Sequence, residues 1–313
     1  MRFLVTGSSG FIGAAMAHRL AKRGEDVHVF LRDASRAWRL EGMLPKLSAY
    51  AVDLKDRDAV FRAVSDIKPD VIFHFAAYGA YWHQKDAKAT IETNLLGTVN
   101  LLEACRSAGF RCFVNAGSSS EYGIKEKPMA ETDLPEPNSI YGVTKSAATL
   151  YCRHMARDFG LPVVMLRIFA AYGYFEEPGR LIPSLVVPSL KNESPRLSTP
   201  TSVRDFIFVE DVLDAFERAA ETDAARGEIL NIGTGVQHSV GEAADLVRKL
   251  TGCRKEVVWG AEEKKQPEPK VWAADMSKTQ RILRWKPGHD FESGLEKTVD
   301  WFRANLANYP CYV

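Results

Sequence analysis

Apolar positions in the first half of the chain follow two alternating rhythms. Short apolar runs at Arg2–Thr6 (RFLVT), Asp26–Leu31 (DVHVFL), Leu47–Val52 and Asp70–Phe75 (DVIFHF) predict strands, the last of them buried. Between them, apolar residues recur at helical spacing over Phe11–Lys22, around Arg57–Val64 and over Ala87–Ser107. Further strands are expected at Arg111–Ala116 and Val163–Phe169, with a helix from Tyr141 to Phe159 between them. Strands that alternate with helices build βαβ units and a mostly parallel sheet. The expected fold class is therefore α/β, a doubly wound parallel sheet over residues 1–172.

Beyond Tyr172 the texture changes. Residues 173–204 are rich in Pro, Gly and Glu around one apolar segment, Leu181–Leu190. Asp211–Thr222 and Val240–Leu250 read as helices, Glu228–Ile232 as a strand, Gln266–Pro269 as a loop and Gly294–Asn305 as a final helix. This predicts a smaller C-terminal lobe over 173–313, with one or two segments free to return to the sheet.

Composition narrows the function classes. The 313 residues are 46% hydrophobic and 26% charged, which excludes a disordered or collagen-like chain. Lys and Arg number 41 against 40 Asp and Glu, so no global charge argues for a nucleic-acid partner. Cys105, Cys112, Cys152, Cys253 and Cys311 are odd in number and scattered, forming neither a disulfide framework nor a CxxC pair. The seven histidines are equally dispersed, so no metal site is expected. The amino terminus runs directly into a strand, and no apolar stretch reaches membrane-spanning length. The expectation is a reduced, cytoplasmic protein without membrane or metal.

Candidate chemistry starts at Gly7-Ser8-Ser9-Gly10-Phe11-Ile12-Gly13, between the first strand and the first helix. Glycines there permit a tight turn, bring backbone N–H groups to a pyrophosphate at the helix N-terminus and allow close packing at Gly13. Asp53, followed by Leu54, is placed to accept from an adenine amino group or to cap the next helix. Ala76 and Ala77, after His74-Phe75, leave room either for a cofactor or for tight core packing. After strand two, Leu31 stands where a ribose-binding carboxylate is expected, and Arg32 and Arg36 follow. Two cations favour a 2′-phosphate, hence NADP(H) over NAD(H), unless Asp33 swings in.

Tyr141 and Lys145 (YGVTK) lie one helical turn apart at the start of a helix. An ammonium near a phenol favours the phenolate, which can exchange a proton with an alcohol oxygen while hydride moves at the adjoining carbon. Gly117-Ser118-Ser119-Ser120-Glu121-Tyr122-Gly123, after the strand Arg111–Ala116, offers a hydroxyl for the same oxygen or is simply a polar loop.

Taken with Asn94 in TNLLGT and Arg167-Ile168-Phe169, these motifs resemble, in order and over nearly the whole chain, the extended short-chain dehydrogenase/reductase family. The resemblance is to its nucleotide-sugar epimerases, dehydratases and ketoreductases. It implies a Rossmann-type fold binding NAD(P), a catalytic triad of Ser118, Tyr141 and Lys145, and a nicotinamide ribose held by Lys145. It also implies a nucleotide-sugar-binding C-terminal lobe and commonly a homodimer built on a four-helix interface. Arg204-Asp205-Phe206 resembles the family's RDF/RDY element, whose arginine contacts the substrate nucleotide; a salt bridge to Asp205 or Glu210 is the alternative. Arg180-Leu181-Ile182-Pro183 resembles a stretch lining the sugar-nucleotide site. Ala170 replaces a frequent asparagine, and the arginine common near Gln266-Pro267-Glu268 is missing, with Lys264 or Lys265 the nearby cations.

Tyr78, Tyr81, Trp82 and His83 sit where a loop either caps a sugar or packs on the next helix, and Tyr78 and Ser119 are taken as substrate contacts. Family dehydratases commonly carry an acid–base pair directly after the catalytic Ser/Thr. Here those places hold Ser119 and Ser120, and Glu121 stands one position late. The reaction expected is therefore 4-ketoreduction of an NDP-4-keto-6-deoxyhexose, with 4-epimerisation as the alternative. Dehydration and a non-catalytic cofactor-binding sensor rank below both.

Overall fold

The computed structural model describes residues 1–33, 37–81, 83–261, 269–308 and 311. Arg36, Trp82, Lys264, Lys265 and Gln266–Glu268 lie outside the described residues. In chain order, β1 is Arg2–Thr6, α1 Phe11–Lys22, β2 Asp26–Leu31, β3 Ser48–Ala51, α2 Arg57–Ile67 and β4 Val71–His74. Helices α3, Ala87–Ile91, and α4, Gly97–Ala108, follow, then β5 Cys112–Ser118, α5 Ile140–Phe159 and β6 Val163–Ile168. The sheet runs β3-β2-β1-β4-β5-β6, and Ile229–Ile232 adds a seventh strand beside β6. Every pairing in it is parallel. This is the expected doubly wound sheet.

Local chemistry sets the boundaries. Asp56 caps α2 by accepting from the Ala59 N–H, and Ser139 caps α5 by accepting from the Gly142 N–H. Gly160 ends α5 in the left-handed conformation, φ 64°. The helix expected over Ala87–Ser107 is present but not uniform. Residues Glu92–Leu96 form one π-helical turn between α3 and α4, and it carries the buried Asn94.

Alternate residues of β1, β2, β4 and β5 enter two cores. Leu4, Phe30, Ile72 and Phe113 face α2, α4 and α5, whereas Val5, Val29, Phe73 and Val114 face α1 and the helix Val209–Glu221. Because the sheet is covered on both faces, its strands read as continuous apolar runs. The second core continues through Leu185, Val247, Phe291 and Phe302, so the C-terminal segments pack on the α1 side. Strand order reverses between β1 and β4, which opens a crevice at the carboxyl ends of the strands. Among the described residues, no helix is long and apolar enough to cross a membrane.

Candidate functional site

A cavity of about 820 Å³ occupies that crevice. One end is walled by main chain. Gly7 adopts φ 69°, and a Cβ added there would lie 2.5 Å from the Ala76 nitrogen; one on Gly13 would lie 2.3 Å from the Gly7 carbonyl oxygen. Close approach of the turn to α1 and to the end of β4 thus requires glycine at both places. Gly10, Phe11, Ile12, Arg32, Asp53, Leu54, Ala76 and Ala77 line the same end. Helix capping falls to Asp56, whereas the Asp53 carboxylate accepts from the Lys55 N–H at 3.0 Å and pairs with the Lys55 ammonium at 3.7 Å. A dinucleotide fits this cradle: backbone turn, carboxylate and a wall of alanines converge where a pyrophosphate and an adenosine need them.

The three residues expected to react lie midway. Ser118 ends β5, while Tyr141 and Lys145 come from the first turns of α5, and all three line the cavity. Burial pushes the Tyr141 phenol up to about 12, opposed first by a hydrogen bond with Ser118 and then by the charge of Arg180. Burial also lowers Lys145 to about 8, with the Glu121 carboxylate the leading opposing influence.

Glu121 is not a substrate-facing group. It is fully buried beneath Ser118, where one oxygen accepts from the Ser118 N–H at 2.8 Å and the Thr149 hydroxyl at 3.0 Å. The other accepts from Arg167 Nε at 2.8 Å. The Arg167 guanidinium lies over the Tyr122 ring, and the Tyr122 hydroxyl donates to Asn231 on the seventh strand at 2.7 Å. Ser118 is therefore braced from three adjacent strands. A second buried chain starts at His74. His74 Nε2 lies 2.8 Å from the Thr98 hydroxyl, which donates to the Asn94 carbonyl, so His74 Nε2 carries the proton and Nδ1 accepts from Thr6 at 2.6 Å. Burial keeps His74 neutral, with its pKa lowered to about 3. The Asn94 side chain donates to Thr144 Oγ1 and to the Tyr78 carbonyl and accepts from the Tyr78 N–H.

The far end is walled by side chains. Arg180 and Arg204 both line it, with Ser119, Ser120, Tyr81, His83, Glu176 and Trp272. The Arg180 guanidinium sits 5.7 Å over Tyr81, and its Nε is 3.8 Å from buried Glu176, whose carboxyl burial raises to about 8. Arg204 lies 5.5 Å from the Trp272 ring. Asp205 is engaged by the N–H groups of Thr234, Gly235 and Ala274, and Glu210 by Arg19 and Tyr174, so neither anion is placed as the salt-bridge partner weighed for Arg204.

Of the residues given a direct catalytic, cofactor or substrate contact from sequence, all but Arg36 and Tyr78 line this cavity, whereas Asn94, Glu121, Arg167, Leu181, Ile182 and Pro183 do not. Arg36 lies outside the described residues. Tyr78 does not line it; Asn94 ties its backbone, and Tyr81, three residues on, supplies the aromatic wall. Sequence reasoning missed Glu176, Glu177, Trp272 and Arg39. Their signal is spatial: each joins the site from a loop or short turn without a spacing rule.

Residues 3–233 match the model of the NAD dependent epimerase/dehydratase family. The dTDP-glucose 4,6-dehydratase of Salmonella typhimurium is 28% identical over 97% of this chain and 93% of its own. The crystal structure of a UDP-glucose 4-epimerase from Thermotoga maritima with UDP-glucose superposes with a TM-score of 0.90 at 29% identity, covering 98% of this chain and all of that one. A UDP-glucuronic acid 4-epimerase from Bacillus cereus, solved with UDP-glucuronic acid and NAD, gives 0.84 at 28% identity, covering 97% and 99%. The glycine turn, the YGVTK helix and these likenesses have one conclusion: the chain belongs to the NAD dependent epimerase/dehydratase family, as a nucleotide-sugar enzyme of the extended short-chain dehydrogenase/reductase type.

Proposed function

We propose that this enzyme is an NAD-dependent 4-epimerase of UDP-activated sugars, with Ser118, Tyr141 and Lys145 as its reacting groups. The setting of Glu121 sets dehydration aside, and the likeness to 4-epimerase structures then carries the reading. Dehydration needs an acid and a base beside the triad, and the carboxylate nearest in sequence is turned under the sheet and bonded to Arg167. Serines occupy the two positions directly after Ser118, and a hydroxyl is neither a workable acid nor base near neutral pH.

The bound nicotinamide supplies hydride acceptance and return. Tyr141 takes the proton of the sugar 4-hydroxyl and gives it back, and Ser118 donates a hydrogen bond to the same oxygen. The hydrogen bond with Ser118 and the charge of Arg180 oppose burial and favour the phenolate. Gly7, Gly10, Phe11, Ile12 and Gly13 hold the pyrophosphate. Asp53 and Leu54 face the adenine, Ala76 and Ala77 lie along the cofactor, and Lys145 holds the nicotinamide ribose. Arg204 takes the substrate diphosphate, with Arg180 and Ser119 on the sugar side.

One observation favours a second reading, 4-ketoreduction with NADPH: Arg32 lines the cavity after β2. Stoichiometry separates the two. The epimerase interconverts UDP-glucose and UDP-galactose, or an analogous pair, with no net change in cofactor, whereas a reductase consumes one NADPH per keto-sugar. Net NADPH consumption with no interconversion would overturn the proposal. Titration with NAD and NADP on wild type and Arg32→Ala tests the cofactor half; tighter NADP binding that Arg32→Ala abolishes would install the reductase's cofactor.

A homodimer belongs to the same proposal. The adjacent helices α3–α4 and α5 leave Ile91, Leu96, Ile140, Val143 and Leu150 exposed, an apolar face suited to a second copy. Light scattering at twice the 34.9 kDa chain mass supports it, and a monomer at micromolar concentration refutes it.

A further inference from the structure

Arg39 is 3% exposed, yet it belongs to neither the triad nor the glycine turn. Each of its three donor nitrogens reaches a different part of the wall. Nη1 donates to the Ser9 carbonyl inside the glycine turn at 3.0 Å. Nε donates to the Phe175 carbonyl at 2.6 Å, and Nη2 to the Glu177 carboxylate at 2.5 Å. Phe175 adopts φ 67°, a left-handed conformation that costs a non-glycine residue energy and persists only where the surroundings enforce it. His18, from α1 behind the glycine turn, stacks on the Phe175 ring at 4.8 Å, and its Nε2 lies 2.7 Å from the Arg39 carbonyl. The strained bend is therefore clamped from the cofactor side. Three residues beyond Glu177 stands Arg180, stacked on Tyr81, paired with Glu176 and acting on Tyr141.

We propose that Arg39 is a positioning residue that couples cofactor binding at the glycine turn to the setting of the Tyr174–Arg180 segment in the substrate end of the cavity. A guanidinium has donors in a rigid planar fork, so a shift of the Ser9 carbonyl on pyrophosphate binding must be shared with Phe175 and Glu177. Lysine, whose three donors all sit on one nitrogen, holds at most part of that arrangement. Coupling of this kind is reciprocal: if the cofactor raises affinity for the sugar nucleotide, the sugar nucleotide raises affinity for the cofactor by the same factor. The substrate half of the statement rests on the nucleotide-sugar reading above; the cofactor half does not.

Hydrogen exchange on the full-length protein with and without NAD tests the coupling without any sugar. In the wild type, NAD is expected to slow exchange in peptides covering the glycine turn and in those covering residues 174–180. In Arg39→Lys, protection of the turn persists and protection of 174–180 is lost; in Glu177→Ala, which keeps the Ser9 and Phe175 contacts, protection of the turn persists and protection of 174–180 is reduced. The Glu177→Ala change lies at a partly exposed side chain and leaves Arg39 its other two acceptors, so it keeps the test open if Arg39→Lys folds poorly. No NAD-dependent protection of 174–180 in the wild type overturns the proposal. Equal protection in the folded variants also overturns it, since the cofactor would then act on the segment directly. A second arm measures UDP-glucose affinity with and without saturating NAD. The ratio is expected to be about fivefold or more in the wild type, the usual lower bound for such coupling, below about twofold in Arg39→Lys and reduced in Glu177→Ala. A wild type that shows the exchange coupling but binds no UDP-sugar refutes the substrate reading while leaving the Arg39 assignment standing.

Discussion

The two ends of the cavity are built from different materials. At the cofactor end the wall is main chain, and a single added carbon would collide with backbone at 2.3 Å on Gly13 or 2.5 Å on Gly7. At the substrate end the wall is side chain: Arg180 over Tyr81, Arg204 beside Trp272, Glu176 against Arg180. The strands that reach the cavity outside the central sheet, Ala170–Tyr172 and Val203–Arg204, are three and two residues long, against four to seven in that sheet. A wall of backbone recognises a ligand shared across the family, because its shape survives most substitutions that keep the glycines. A wall of side chains can change ligand by single substitutions without disturbing the sheet.

The sharpest test lies where the two ends meet. Tyr141→Phe removes the proton carrier and keeps the ring, so kcat should fall by roughly 10²–10⁴-fold with NAD affinity nearly unchanged. Wild-type turnover in that variant would remove Tyr141 from the mechanism.

Beneath the reaction centre, Glu121→Gln leaves the Arg167 guanidinium buried without its counter-charge. Breaking a buried pair from one side costs about 3–5 kcal/mol, read as a lower urea midpoint at an unchanged slope. A midpoint equal to wild type would mean that the brace under Ser118 is dispensable.

Gly13→Ala probes the main-chain wall. The new carbon has only backbone to displace, so overpacking should destabilise the fold by about 1–3 kcal/mol and weaken NAD binding with it. Unchanged NAD affinity in a calorimetric titration would show that the turn tolerates what its geometry forbids.

The pH profile carries the next effect. Lys145 acts as an ammonium, and burial lowers its pKa from 10.5 to about 8. Its charge is present below that value and lost as pH rises through it. Accordingly, kcat/KM should fall up to tenfold per pH unit above about 8, and a profile flat to pH 10 would contradict the assignment.

Arg204→Ala, at the side-chain wall, completes the contrast. Stability should stay within about 0.5 kcal/mol of wild type while KM for the nucleotide sugar rises. Loss of the fold would mean that the substrate end is as structural as the cofactor end.

Legibility in the sequence followed the same division. The glycine turn, the β5 serines and YGVTK were readable because each places its chemistry within a few residues on one element. The seventh strand was readable as a strand, Glu228–Ile232, but not as the sheet's edge beside β6. Glu121 shows why local spacing stops short. Sequence position put it one residue beyond the place of a dehydratase acid. Arg167 and Thr149, 46 and 28 residues away, draw the carboxylate under Ser118 instead. Tyr78 and Tyr81 differ for a comparable reason: Asn94, 16 residues on in the π-helical turn, holds the Tyr78 backbone, and Tyr81 lines the cavity.

By itself, then, the sequence determined the doubly wound sheet, its glycine turn and the serine, tyrosine and lysine gathered at the strand ends. Those features arise from strand and helix periodicity and from backbone conformations that only glycine adopts cheaply. Tertiary structure alone decided which carboxylate is sequestered, which tyrosine faces the cavity and how Arg39 joins Ser9 to Phe175 across 166 residues. The physical reason is that a buried charge must find its partner wherever the fold brings one, and no rule of spacing along the chain fixes that distance.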